Sequence, residues 1–338
     1  MSNTSPHPNR PQENHEIISI SQFPRELRLF VNNICNHDCK YGSGIAFCHS
    51  KDDKQIPHQL GVKQAEIILD TFSRWDFDTL RICGMEPTLN RNLDEIVIMA
   101  KDMGFSTVKI TTNGTRLSSC IDSLIDNGLN GITVSLHSLN PTRFHAITGG
   151  ILEPILKGLE TVKDYQIPTK VNCVVQKGVN EDIKPILDYS WNRGFIPKIY
   201  QLIWQPSTES NYNLYFKSIS EILSPYLPEM SCISETRFRI AKRTRYRYRN
   251  NQDNLLEFGT FSPKFTSPLE GCRKCIFSLK CDEGFMGYGF EVSSDFDIHP
   301  CYIRNEASFS LKPFLNKEYH ELIGRILKTN SMLGGGSN

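Results

Sequence analysis

The chain has 338 residues, of which 39% are hydrophobic and 22% are charged, and its 38 basic side chains nearly balance 37 acidic ones. This composition excludes a disordered chain, collagen and a long coiled coil. The formal net charge of +1 argues against binding nucleic acid or a membrane surface over the whole protein. No run reaches the roughly 18 apolar residues of a membrane-spanning helix, and the polar N-terminus lacks the apolar core of a secretion signal. We therefore expect a cytoplasmic protein with no membrane partner.

The first residues, 1–22, are polar and contain three prolines, which predicts a flexible leader. From about residue 26 the chain alternates short β-branched runs with longer stretches of helical period, the pattern of β/α units around a parallel sheet. The predicted strands are Leu27–Asn32, Thr79–Cys83, Thr107–Thr111, Gly131–Leu136, Lys170–Val175 and Lys198–Trp204. The predicted helices are 61–74, 91–103, 117–127, 152–165 and 181–193.

Six such units make most of a barrel, and an incomplete barrel needs cover on its open side. The remaining residues, rich in turns and cysteines, are the candidate for that cover. The predicted fold is therefore α/β, a partial (β/α)6 TIM-like barrel over residues 23–230 with a small cysteine-rich C-terminal domain over 231–338.

Eleven cysteines in a reducing compartment point to ligands, catalysts or small core residues rather than to disulfides. Four of them stand alone in apolar stretches and are interpreted as core residues: Cys83, Cys120, Cys173 and Cys232. The other seven form an early group, Cys35, Cys39 and Cys48, and a late group, Cys272, Cys275, Cys281 and Cys301.

The early cysteine group follows the first predicted strand, at the carboxyl end where the loops of α/β barrels carry their chemistry. Three thiolates can hold three irons of a cubane cluster and leave the fourth iron open for a ligand. A zinc ion with His37 or His49 as its fourth ligand fits the same residues. Spacing alone leaves both alternatives open.

Three further motifs follow the next predicted strands in order. They are CGMEP at 83–87, TTNGT at 111–115 and VSLH at 134–137. With the early cysteines, this order resembles the radical S-adenosylmethionine (SAM) superfamily. From Leu27 to the Gly-rich tail, the chain looks most like the family of GTP cyclases of molybdenum cofactor biosynthesis.

The resemblance implies a [4Fe–4S] cluster held by Cys35, Cys39 and Cys48, with SAM bound at its open iron. One electron from a donor such as flavodoxin or ferredoxin then cleaves SAM to methionine and a 5′-deoxyadenosyl radical, which abstracts a hydrogen atom from the substrate. The implied SAM-binding residues are Phe47, Gly84, Glu86, Asn113, Ser135 and Gln205. The implied substrate contacts, at positions that match nucleotide contacts of the cyclase, are Arg28, Arg81, Thr112 and Lys170.

Two departures from the family pattern concern the SAM site. The third cysteine comes late, after an insertion between Cys39 and Cys48 that glycines at 42 and 44 make feasible. Met85 stands where the family motif usually has a second glycine, which places a flexible side chain close to SAM.

The late cysteine group has the spacing C-x2-C-x5-C followed by Cys301. It resembles the Twitch or SPASM-like auxiliary-cluster domains, and four cysteines can ligate every iron of a second [4Fe–4S] cluster. Cys281 is extra relative to the cyclase, which implies a closed cluster that relays electrons or sets a redox potential. A structural zinc site is the alternative.

The substrate is expected to be a small polar or anionic molecule, with a peptide as the alternative. Residues 276–279 are Ile-Phe-Ser-Leu, where the cyclase relative carries arginines, and this argues against GTP itself.

The segment Arg237–Arg249 is densely basic, and at strand period Arg243, Arg245, Arg247 and Arg249 share one face. An anionic substrate or RNA could bind there, but we interpret the segment as a solvated outer strand whose charges prevent edge pairing. Nucleic acid is accordingly not an expected partner. A hypothesis from another functional class is a non-enzymatic zinc protein that binds RNA through this strand.

Overall fold

The computed structural model describes residues 23, 25–40, 58–237, 243–261, 267, 269–281, 284–286, 289–301 and 303–333. The strands within these ranges are β1 (Glu26–Phe30), β2 (Thr79–Cys83), β3 (Thr107–Thr112), β4 (Gly131–Ser135), β5 (Thr169–Val174), β6 (Ile196–Tyr200), β7 (Met230–Arg237), β8 (Arg243–Asn250), β9 (Leu255–Phe261), β10 (Phe290–Val292), β11 (Asp297–Ile298) and β12 (Phe309–Ser310). The helices are α1 (Val62–Arg74), α2 (Leu93–Asp102), α3 (Leu117–Asp126), α4 (Pro141–Thr148), α5 (Glu153–Lys163), α6 (Lys184–Trp191), α7 (Glu209–Tyr215), α8 (Ile219–Leu223), α9 (Glu270–Lys274) and α10 (Tyr319–Leu333).

Strands β1 to β6 pair in parallel in the order of the sequence, and helices connect each strand to the next. Each predicted strand matches one of these six, and the predicted helices match α1, α2, α3, α5 and α6. The prediction of a partial (β/α)6 barrel is confirmed. Helix α4, between β4 and α5, was not predicted.

Strands from the C-terminal part extend the sheet on both sides of the barrel strands. β9 pairs in parallel with β6 and continues through β8 to β7, while β10 pairs in parallel with β1 and continues through β11 to β12. One sheet therefore runs through both predicted domains, and the division at residue 230 stays a prediction.

The basic strand β8 lies inside the sheet, so its prediction as an outer strand is wrong. It pairs along its length with β7 on one side and β9 on the other. The predicted alternation holds: Tyr246 and Tyr248 pack against Phe258, with ring centroids 5.4 and 5.3 Å apart, while Arg247 bonds Glu257 on the opposite face. Backbone pairing with both neighbours, and that carboxylate, stabilise the strand despite its charge.

An aromatic cluster joins the C-terminal part to the barrel. The ring of Phe290 in β10 lies 6.0 Å from Phe72, 5.2 Å from Phe77 and 5.8 Å from Tyr319 of α10. Edge-to-face packing of this kind stabilises a core beyond simple area burial.

The four isolated cysteines differ in burial. Cys83 and Cys173 are buried, as predicted for core residues, and Cys120 is half-buried. The prediction for Cys232 is wrong, because this residue is exposed on the edge strand β7. None of the helices in the part of the chain that the structure describes is long and apolar enough to cross a bilayer.

Candidate active site

The early cysteine loop leaves β1, and its described part, residues 31–40, is held at both ends by backbone hydrogen bonds. Val31 N–H donates to Cys83 O at 2.9 Å, which keeps the loop beside β2. The N–H groups of Asp38 and Lys40 donate to the last carbonyls of α4, at 2.7 and 2.8 Å. Cys35 and Cys39 are both half-buried in this loop. Cys48 and Phe47 lie outside the described residues, and their predicted roles stay predictions.

The loop after β2, which contains the predicted SAM-binding Gly84 and Glu86, runs directly against the cysteine loop. Gly84 has φ +125°, and a Cβ there would lie 2.8 Å from Asn32 O, so only glycine fits. Glu86 N–H donates to Ile34 O at 2.9 Å, and Met85 is half-buried between these two contacts.

The Glu86 carboxylate is fully buried and surrounded by hydrogen-bond donors. One oxygen accepts from the hydroxyls of Thr88 and Thr112, each at 2.6 Å, and the other accepts from Asn113 N–H at 2.6 Å. Burial raises the pKa of Glu86, and these hydrogen bonds oppose the rise. The side chain thereby ties the carboxyl end of β2 to that of β3. Thr112, a predicted substrate contact, belongs to this buried arrangement and is 2% exposed.

Asn113 connects this arrangement to the first cysteine. Its Nδ2 lies 3.9 Å from Cys35 Sγ. The structure therefore brings together Cys35, Gly84, Glu86 and Asn113. The other predicted SAM-binding residues within the described ranges lie at the same end of the sheet, Ser135 half-buried at the end of β4 and Gln205 buried after β6.

The inside of the barrel carries ion pairs at mid-strand height, and three predicted substrate contacts take part in them. Arg28 bonds Glu291 of β10 at 2.8 Å, Arg81 bonds Glu26 at 2.9 Å, and Lys170 bonds Glu257 of β9 at 2.6 Å. Glu257 also accepts from Arg247 Nε of β8 at 3.0 Å. The C-terminal strands thus supply both acids and bases to the barrel interior.

Two lysines extend this set of charged side chains inside the barrel. Lys109 lies beside Arg81 in the β2–β3 register, and Lys198 lies opposite Glu257. Burial lowers the pKa of Lys109 and, despite the neighbouring Glu257, that of Lys170. Among these charged side chains the basic ones outnumber the acidic ones, which makes the barrel interior attractive to anions.

Sequence reasoning missed Lys109, Glu257 and Glu291. Their signal was a single charged residue between two apolar neighbours in each strand, because alternate residues of a barrel strand face its interior.

The late cysteines line one cavity, together with Phe277, Phe285 and Leu333 among others. Several sulfurs receive N–H donors: Gly284 N–H lies 3.3 Å from Cys281 Sγ, Asn330 Nδ2 lies 3.4 Å from Cys272 Sγ, and Arg304 Nη1 lies 3.8 Å from Cys275 Sγ. Burial raises the pKa of Cys272 and of Cys301 to about 11. A bound cation would reverse that effect by stabilising the thiolates.

The cysteine chemistry and the N–H donors of this cavity fit an iron–sulfur cluster, whose sulfurs typically accept such hydrogen bonds. Within the described ranges, no group of three or more His, Cys, Asp or Glu side chains is arranged around a single point that could hold one metal ion.

The late cysteine segment lies against the end of β6. The rings of Phe277 and Trp204 are 5.6 Å apart, and the Lys280 ammonium lies 5.3 Å from the Trp204 ring. Lys280 also pairs with Glu209 of α7. The second cysteine group is therefore placed near the carboxyl ends of the barrel strands, where Cys35 and Cys39 also lie.

Comparison with known proteins agrees with this geometry. Residues 29–189 match the model of the radical SAM superfamily. These residues form a radical SAM domain, and the chain is a radical SAM enzyme. Its cofactors are a [4Fe–4S] cluster and SAM, and the thiols of Cys35 and Cys39, with N–H donors beside Cys35, suit the cluster.

Among curated proteins, the chain is similar to enzymes named probable GTP 3′,8-cyclase. The relative from Methanocella arvoryzae is 25% identical over 303 residues, which cover 88% of this chain and 87% of the relative. The relative from Archaeoglobus fulgidus is 27% identical over 289 residues, which cover 83% and 86%.

Two solved structures share the fold. Streptococcus suis SuiB bound to S-adenosylmethionine matches with a TM-score of 0.57 and 17% identity, over 89% of this chain and 66% of SuiB. Native anSMEcpe with bound AdoMet matches with a TM-score of 0.59 and 13% identity, over 91% of this chain and 84% of anSMEcpe.

Proposed function

We propose that the enzyme cleaves SAM reductively at a [4Fe–4S] cluster held by Cys35, Cys39 and Cys48, and abstracts a hydrogen atom from a small anionic substrate in the barrel. When bound, the cluster and SAM supply the 5′-deoxyadenosyl radical for that abstraction. The protein fixes the cysteine loop on α4, lines the SAM site, and excludes water around the reacting groups.

Residues around the cysteine loop support the SAM assignment. Gly84 allows the backbone after β2 to approach the loop, and buried Glu86 fixes this backbone relative to β3. We assign Gly84, Glu86, Asn113, Ser135 and Gln205 to the SAM side of the site, with Phe47 as a further contact in the sequence.

The observation that carries the substrate proposal is the excess of basic side chains inside the barrel. Arg28, Arg81 and Lys170 face this interior, and we assign them to the anionic part of the substrate, which phosphate or carboxylate groups would provide. The relatives named GTP 3′,8-cyclase make a nucleotide the first compound to test. Residues 276–279, Ile-Phe-Ser-Leu, offer no charged group to a second anionic end, so we favour a substrate smaller than GTP.

We also propose that Cys272, Cys275, Cys281 and Cys301 ligate an auxiliary [4Fe–4S] cluster in a Twitch or SPASM-like segment. Four thiols around one cavity leave no iron open, so this cluster would relay electrons rather than bind substrate. Because thiolate ligands of iron–sulfur clusters require a reducing compartment, a cytoplasmic location is part of this proposal, and flavodoxin or ferredoxin is the proposed electron donor.

The central experiment is anaerobic reconstitution followed by reduction with dithionite and measurement of 5′-deoxyadenosine. We expect wild type to form it and the Cys35→Ala and Cys39→Ala variants to form none. Cys232→Ala is the matched control, because this cysteine is exposed on β7 and should leave SAM cleavage unchanged. If Cys35→Ala cleaved SAM at the wild-type level, the assignment of the site would be overturned.

Substrate class is tested by hydrogen transfer. Cells are grown in deuterated medium, and their metabolites are fractionated on an anion-exchange resin. Each fraction is incubated with the reduced enzyme and SAM, and the 5′-deoxyadenosine formed is analysed for deuterium. Deuterated GTP is assayed as a separate sample. We expect transfer only from retained, anionic fractions. Lys170→Ala should raise KM for such a fraction, whereas Lys184→Ala, which removes a surface ion pair on α6, should not.

Metal analysis tests the auxiliary cluster. Wild type should hold about eight irons per chain, and the double variant Cys275→Ala with Cys281→Ala about four. Zinc in place of the second set of irons would support the structural zinc alternative.

A further inference from the structure

A chain of hydrogen bonds connects the interior of the cysteine loop to the sulfur of its first cysteine. It runs from His37, between the two described cysteines, through Thr115 and Asn113 of the loop after β3, to Cys35. Two members, His37 and Thr115, have no role in the proposed SAM or substrate contacts.

The direction of each bond follows from the donors. Thr115 N–H can only donate, so the side-chain atom of Asn113 at 2.9 Å from it is the amide oxygen. The amide nitrogen therefore faces the other way, 3.9 Å from Cys35 Sγ and 2.7 Å from Asn36 Oδ1. Its two hydrogens suffice for both contacts.

The Thr115 hydroxyl has a single hydrogen, which it donates to Asn113 Oδ1 at 2.8 Å. The 3.0 Å contact between this hydroxyl and His37 Nε2 must then have the imidazole N–H as donor. The histidine thus fixes the hydroxyl, and the hydroxyl, together with Thr115 N–H, fixes the amide.

Packing leaves His37 little freedom. It is 6% exposed, and its ring stands edge-on to Phe144 of α4, with centroids 6.0 Å apart. A Cβ at Gly150 would lie 2.3 Å from Nε2, so the absence of a side chain there makes room for the imidazole. A buried, immobile donor of this kind holds the next group in one orientation.

We propose that Asn113 is a positioning residue whose amide N–H, oriented by Thr115 and His37, bonds the Cys35 sulfur and raises the reduction potential of the SAM-binding cluster. The proposal rests on the assignment of Cys35 as a cluster ligand. Reduction adds negative charge to a cluster and its thiolates, and a donor aimed at a ligand sulfur stabilises that charge. The backbone N–H of His37 also donates to this sulfur, at 3.3 Å, and acts in the same sense.

The test poises reconstituted holoenzyme at a series of fixed potentials. The reduced fraction is measured by EPR of the cluster whose signal changes when SAM is added, which separates it from a second cluster. Asn113→Asp keeps the shape and the oxygen facing Thr115 but replaces the donor near sulfur by an oxygen. We expect a roughly tenfold fall in the ratio of reduced to oxidised cluster at fixed potential, or about 59 mV for one electron.

Thr115 provides the second variant and its matched control. Thr115→Val removes the hydroxyl at nearly constant volume, and it should shift the ratio in the same direction by a smaller factor. Thr115→Ser keeps the hydroxyl and should restore the wild-type ratio. Iron content, measured in parallel, shows that each variant is loaded.

The proposal is overturned if loaded Asn113→Asp and Thr115→Val both titrate as wild type. Should Asn113→Asp fail to hold iron, a wild-type titration of Thr115→Val is enough to overturn it. A SAM-responsive cluster that persists in Cys35→Ala would instead refute the ligand assignment on which the proposal rests.

Discussion

Thr112 shows how a single side chain can have two quite different interpretations. Its position in the sequence matches a nucleotide contact, yet its hydroxyl donates to Glu86 Oε1 at 2.6 Å and accepts from Gly114 N–H at 3.0 Å. These contacts make it part of the buried arrangement around Glu86, which we propose to support the SAM site, rather than of the charged barrel interior. A substitution separates the two roles.

We predict that Thr112→Val destabilises the protein by roughly 2 kcal/mol, because it removes one hydrogen bond from the buried Glu86 carboxylate and takes the hydroxyl acceptor away from Gly114 N–H. Urea unfolding of the anaerobic protein measures this loss. Thr107→Val, at the start of the same strand, is the control and should change stability little. Unchanged stability with a raised KM for substrate would return Thr112 to the substrate site.

The chemistry-bearing residue types were predictable from the sequence, but their partners were not. Cys35, Gly84, Glu86 and Asn113 follow successive strands, and parallel strands bring their carboxyl ends together. That Glu86 bonds Thr112 while Arg28 bonds Glu291 depends on contacts between residues far apart in the chain. One sequence without its fold carries no record of such pairs.

The sequence contains clear capping residues for helix α4, but we did not predict this helix. Asn140 caps it through Oδ1, 2.9 Å from Arg143 N–H, Pro141 opens it, and Gly149 ends it with φ +66°. Its buried residues Phe144, Ile147 and Thr148 follow helical spacing. The helix is short, and only the fold reveals that its last carbonyls hold the cysteine loop.

We predict that Asn140→Ala weakens α4 by about 1 kcal/mol and loosens the cysteine loop with it. Hydrogen exchange of peptides covering 35–40 should become faster, because Asp38 and Lys40 donate to the end of this helix. Ser218→Ala removes the cap of α8 and is the matched control. Equal exchange of 35–40 in both variants would show that the helix does not support the loop.

For strand β8 the local pattern was predictable from the sequence, but the neighbouring strands were not. Its alternation of arginine with threonine and tyrosine was predicted correctly, since side-chain period is a local property. Its neighbours β7 and β9 were not, since strand pairing is set by tertiary structure. The same reasons explain why the six barrel strands were predictable from local pattern while the pairing of β9 with β6 was not.

At the scale of the molecule, the barrel interior couples stability to pH. Burial alone would raise the pKa of Glu257 and Glu26, but Lys170 and Arg247 around the first, and Arg81 and Arg28 around the second, hold both near a pKa of about 2. A carboxyl group with a depressed pKa stabilises the fold fully above its ordinary value near 4.5. That contribution is lost as pH falls toward 2.

We predict that Glu257→Gln lowers the free energy of unfolding at pH 7 by roughly 3 kcal/mol, since it leaves two cations beside a neutral amide. The difference between wild type and variant should shrink as pH is lowered below 4.5. Urea unfolding at each pH measures it, and comparing the two proteins cancels the effect of acid on the clusters. Glu66→Gln, exposed on α1, is the control, and a difference that does not vary with pH would contradict the coupling.

The pairing of β10 with β1 and of β9 with β6 has a consequence for how the protein is made. A ribosome that has released the barrel sequence has not yet produced either of the two flanking strands, so the nascent chain exposes open backbone on both sides. β1 must wait for residues more than 250 positions later. The half-made enzyme therefore exposes two strand edges that can pair with other chains, and iron delivered before synthesis ends would meet a barrel whose wall is still incomplete.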